Sequence, residues 1–121
     1  MYYGELIDRV KNLLEKVDDV YVYGAGMKGK EIYYILTRNS IDVKGFLTTD
    51  EPENEELLGI PVKKASTVIN RNVGIVLGVG DIYAQEIMDY LNENTFDTDS
   101  VINGGNYLSI DRNVKSLKKT I

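Results

Sequence analysis

The chain has 121 residues, near the commonest size for one domain, and 43% of them are hydrophobic, enough for a single core. Fourteen Lys and Arg against 19 Asp and Glu leave a formal charge of −5 with no long basic run, which argues against nucleic acid and anionic membranes as partners. Cys and His are both absent, so thiolate nucleophiles, imidazole acid–base catalysis and the usual zinc sites are excluded, and no metal site is expected.

The first predicted element is an N-terminal helix over residues 4–17, where Leu6, Ile7, Val10, Leu13, Leu14 and Val17 form one stripe. Asp18-Asp19 breaks that pattern, and "VYVYG" then reads as a short buried strand, β-branched and aromatic. Three glycines follow at the spacing G-x-G-x-x-G, namely Gly24, Gly26 and Gly29. Residues 27–39 read as a helix with Ile32, Ile35 and Leu36 inward, and residues 41–50 as a second strand with a polar tip. "DEPENEE" is too charged for core and reads as a surface loop with at most one weak helical turn. A turn at Gly59, a strand at 60–62 and a short helix near 66–69 come next. The most apolar strand is "VGIVLGVG", residues 73–80, and it opens into a helix with Ala84, Ile87, Met88 and Leu91 inward. A last strand, "DSVIN", leads to "GGNY" and a C-terminal amphipathic segment over 107–121 carrying Val114, Leu117 and Ile121.

Strands alternate with helices five times, and their apolar runs lack strict alternation, as in parallel sheets covered on both faces. The expected fold is α/β: a single domain over 1–121 with its core at 19–103, built as a three-layer Rossmann-like sandwich. Its sheet is expected to hold five parallel strands in the order 3-2-1-4-5. Ligands of such sheets bind beyond the carboxyl ends of the strands where the order reverses, here between "GAGMKG" and "GVGD" with "TTD" beside them. No apolar stretch approaches the roughly 18 residues of a membrane span, and the N-terminus lacks a signal-peptide pattern, so no membrane insertion and a cytoplasmic location are expected.

The glycine turn has the context that a dinucleotide-type fingerprint needs: a strand before it, a helix after it, and an acid about 20 residues further on. Gly24 suits a tight turn, Gly26 gives a phosphate access to the backbone, and Gly29 permits close packing of helix on strand. With Ala25 and Met27 these form the expected phosphate cradle at a helix N-terminus, and Lys28 could add charge. Asp50 is the expected acceptor for ribose hydroxyls, with Thr48 and Thr49 at the same tip. Gly78 and Gly80 would keep the opposite wall low, Asp81 reads as a helix N-cap, and Tyr83 could stack on a ring. Tyr23 reads as core. None of the nine tyrosines has a Lys four residues later, so the tyrosine–lysine pair of short-chain dehydrogenases is absent. Turnover by this chain alone is not expected, and no residue is assigned as catalytic.

"VYVYGAGMKGKEIYYIL", "VKGFLTTD", "LLGIPV" and "GIVLGVGD" followed by "EIMDYL" resemble the Rossmann-like nucleotide-sugar-binding domain of bacterial surface-polysaccharide enzymes. That domain stands at the front of sialic-acid and bacillosamine acetyltransferases of the NeuD/PglD kind, and similar modules accompany glycosyltransferases and nucleotide-sugar dehydratases. The resemblance covers roughly residues 19–103 and implies a UDP-sugar held by Gly24, Gly26, Gly29 and Asp50. It also implies a catalytic partner domain of the transferase kind. The departures are a single acid before Glu51 where the family carries two, Gln85 where an Arg is common, and Asn103-Gly104-Gly105 where the acetyltransferases enter their acyl-transfer domain. Acetyltransferase activity is therefore not carried over. Three alternatives stand beside the nucleotide-sugar expectation. They are a degenerate module for protein–protein contact, an NAD-binding domain of a larger dehydratase or dehydrogenase, and, weakest, a methyltransferase fragment.

Overall fold

Along each strand the side chains alternate between two cores, which sets the layers of the molecule. A computed structural model describes residues 3–108. Val20 and Val22 of β1 (Asp19–Tyr23) pack into one cluster with Leu6, Ile7, Val10 and Leu13 of α1 (Tyr3–Leu13) and Ile32 and Leu36 of α2 (Met27–Arg38). Tyr21 and Tyr23 of the same strand point to the opposite face. There they join Ile75 and Leu77 of β5 (Val73–Leu77) and Ala84, Ile87 and Leu91 of α3 (Asp81–Glu93). Helices thus cover both faces of one sheet.

The sheet is open, mixed and mostly parallel, with six strands in the order β3-β4-β2-β1-β5-β6. The remaining strands are β2 (Gly45–Thr48), β3 (Glu56–Leu57), β4 (Ile60–Lys64) and β6 (Val101–Asn103). Register between β1 and β5 runs from Asp19 opposite Val73 to Tyr23 opposite Leu77, so the two central strands end level. The expectation of five parallel strands is corrected by β3, which pairs antiparallel with β4 at the sheet edge. Its turn is Leu58-Gly59, with φ of 52° and 83°. Two successive positive φ values match the twist of a two-residue hairpin, and a leucine there gives no warning in the sequence.

Other boundaries also move. The helix expected over 4–17 ends at Leu13, and residues 14–16 continue as turns, although Val17 remains buried. The strand expected over 41–50 pairs only at Gly45–Thr48, because Ile41 and Val43 are buried without joining the ladder. A 3₁₀ turn at Ala65–Thr67 stands where the short helix near 66–69 was expected. Both α2 and α3 close with Schellman bonds: Ile41 N donates to Leu36 O at 3.0 Å, and Phe96 N to Leu91 O at 2.9 Å. Residues 105–108 are helical, and Tyr107 and Leu108 pack on the α1–α2 side. Val114, Leu117 and Ile121 of the expected C-terminal segment lie outside the described residues. Among the described residues no helix is long and apolar enough to cross a membrane.

Candidate functional site

The glycine turn sits where the central strands end. Gly24 N donates to Leu47 O and Gly78 N to Tyr23 O, each at 2.9 Å, so the turn, the end of β2 and the end of β5 are laced together. Gly24 has φ +119°, a conformation that L side chains rarely adopt. Gly26 is the N-cap of α2 and offers no side-chain cap. The first intrahelical bond there runs from Lys30 N to Gly26 O at 3.0 Å. The amides of Met27, Lys28 and Gly29 therefore have no acceptor within the helix. A Cβ built on Gly26 meets nothing within 4 Å, so the space over the N-cap is open, whereas Gly29 is buried against Gly78.

Beside the turn lies a cleft of about 630 Å³, within the range of small-molecule sites. Of the sequence-predicted residues, Gly24, Ala25, Gly26, Thr48, Thr49, Asp50 and Tyr83 line it together. Met27, Lys28, Gly29, Gly78 and Gly80 lie outside its lining. Met27 projects outward and is 77% exposed. Gly29 packs closely, as expected of it, and Gly78 shares that contact: a Cβ on Gly78 would stand 2.7 Å from Gly29 Cα. Lys28 reaches toward Gly80, its Nζ 3.6 Å from where a Cβ on that glycine would be. Gly80, and not Asp81, is the N-cap of α3, with Asp81 in the first turn where its charge suits the helix dipole.

The tip of β2 is held from within. Thr48 Oγ1 donates to the carbonyl oxygen of Asp50 at 2.7 Å, which engages that hydroxyl in shaping the tip. Thr49 Oγ1 and the Tyr23 hydroxyl share a 2.6 Å hydrogen bond. Tyr23 is thus both core, at 1% exposure, and part of the cleft lining. The residues that the sequence did not single out include residues 51–54 of the loop after β2 and three from α3, where Glu86, Ile87 and Tyr90 join Tyr83. Their spacing of three, four and seven from Tyr83 is one helical face, which is the signal that could have found them. Leu57 and Val62 add apolar surface from the hairpin.

Burial holds the phenol of Tyr23 above its ordinary 10.0, opposed by the Thr49 hydrogen bond, and burial likewise raises Tyr21. As pH climbs past that value the unfolded chain gives up these protons first, so stability is complete below it and falls above it. Tyr23→Phe should cost about 0.5–1.5 kcal/mol at neutral pH, the worth of one hydrogen bond. It should also flatten the decline in alkali. Urea unfolding at neutral pH and at about pH 11 checks both, and an unchanged alkaline slope would refute the assignment.

Fold and cleft define a class: an open, mostly parallel α/β sheet, helices on both faces, with a ligand-sized cleft at the carboxyl ends of its strands. No family model, curated protein or solved structure matches the chain.

Proposed function

We propose that this chain is a nucleotide-binding module whose ligand is a nucleotide-sugar of the UDP-sugar type. It would serve as a domain of, or an accessory to, a glycosyltransferase or sugar-modifying enzyme of bacterial surface-polysaccharide biosynthesis. The observation that carries the reading is the convergence of the glycine turn, the Thr48–Asp50 tip and the α3 tyrosines on one cleft. In this arrangement the open amides at the start of α2 take the phosphate, Asp50 accepts from the ribose, and Tyr83 and Tyr90 offer faces to a ring. The polysaccharide setting rests on the sequence resemblance over residues 19–103. The chain's task in this reading is to hold and orient the nucleotide, and the chemistry falls to a partner domain.

Calorimetry with UDP-glucose tests the reading through Asp50. Asp50→Ala should weaken binding by about 1.5–3 kcal/mol, the range for hydrogen bonds to charged groups. That is roughly ten- to more than a hundredfold in affinity. Asp50→Asn should fall between, since it keeps a neutral acceptor. Equal affinities in all three proteins would remove Asp50 from the site, and no binding by the native protein would refute the nucleotide reading.

A further inference from the structure

Four carboxylates line the cleft, Asp50, Glu51, Glu53 and Glu86, and no Lys or Arg lines it. They come from two sides, the loop after β2 and the cleft face of α3, so a ligand between them meets negative charge on both. Glu51 lies 4.0 Å from Lys64 in an exposed pair, whereas Asp50, Glu53 and Glu86 make no ion pair with another described residue. Apolar residues (Leu47, Leu57, Val62 and Ile87) line the cleft between them, and the four carboxylates are exposed, so their field reaches a ligand through solvent and is weakened by salt. The counterweight is local: the positive end of the α2 dipole, with its open amides, lies at the glycine turn. One end of the site therefore favours an anion and the remainder repels one.

Resting on the nucleotide reading above, we infer that this cleft selects its ligand by charge. It takes a nucleoside diphosphate whose distal group is neutral or cationic, and it excludes one whose distal group is a second anion. For nucleotide-sugars this means a neutral sugar or an amino sugar, and not a sugar acid. The phosphates are tolerated because they lie at the helix start. A carboxylate on the far ring has no comparable place, since whichever wall it approaches presents Glu53 or Glu86.

The test compares UDP-glucose with UDP-glucuronate, which differ by one carboxylate at the far end of the sugar. Both are titrated into the full chain with EDTA present, so that no bridging divalent cation neutralises the rim. At about 0.05 M salt the native protein should prefer UDP-glucose by about tenfold or more. The preference should shrink toward about twofold at about 0.5 M salt, where the screening length falls to about 4 Å. The double variant E53Q/E86Q should lose most of the preference already at low salt, because UDP-glucuronate, with one more negative charge, gains more from the loss of the two carboxylates than UDP-glucose does. Equal native affinities, or a preference that E53Q/E86Q leaves intact, overturn the charge selection while the nucleotide reading stands. Failure of the native protein to bind either ligand overturns both.

Discussion

Gly29→Ala should destabilise the protein by more than about 3 kcal/mol, beyond the usual cost of overpacking a core. The added methyl would lie within clashing distance of the Gly24 carbonyl oxygen and 2.8 Å from the carbonyl carbon. Both are backbone atoms, so no side chain can swing aside. Nor can the turn retreat easily. Its amide is bonded to Leu47 O, and the preceding carbonyl accepts from Gly78 N. On the other side a Cβ at Gly78 would meet Gly29 Cα, so α2 is pressed against the ends of both β1 and β5. The close approach has a purpose. It brings the start of α2 down to the strand ends, next to the Gly24–Gly26 turn that lines the cleft. Urea unfolding followed by circular dichroism measures the cost, and a loss under about 1 kcal/mol would mean that helix and strand have slack between them.

How much of this was legible beforehand differs by level. The alternation of elements was readable because buried strands and amphipathic helices carry different periods, and "VYVYG" and "VGIVL" are plain cases. The β3 hairpin was not, because "DEPENEE" has no apolar pattern and the turn relies on a leucine at positive φ. Ile41 and Val43 misled in the other direction: an apolar residue reports burial and does not report pairing with a neighbouring strand. At the cleft, residue type pointed to the turn and the β2 tip, and Gly24, Ala25, Gly26, Thr48, Thr49 and Asp50 do line it. Gly78, expected to keep a cleft wall low, packs against Gly29 of α2 and lies outside the cleft lining. Tyr83 was expected there, but the rest of the α3 contribution escaped because Ile87 was assigned to the core by its period and nothing in the types of Glu86 and Tyr90 marks them. Their common face becomes visible only once the opposing wall, the loop after β2, is in place.

Gly26→Val, three positions before Gly29, should have the opposite signature: a folded protein that has lost its ligand. Gly26 has φ −94° and ψ −158°, an extended conformation open to any residue, and a Cβ there meets nothing within 4 Å. The fold cost should stay near the order of 1 kcal/mol that a poorer N-cap brings. Binding is another matter. In the nucleotide reading, the empty space over Gly26 is the route by which a phosphate reaches the start of α2. Two methyl groups placed there would hold the phosphate away from donors that act only at short range, and would add no compensating contact. Affinity for UDP-glucose should fall by more than about a hundredfold, equivalent to about 2.7 kcal/mol. Gly26→Ala, with one methyl group and the same backbone, should fall between valine and the native residue. Calorimetry on the three proteins, each first checked by circular dichroism, decides the matter. A folded Gly26→Val that binds as well as the native protein would move the phosphate off the helix start. If Asp50→Ala still weakened binding in that case, the ligand would be held by the β2 tip and the tyrosine face of α3, and the turn would serve only to bring α2 against the sheet.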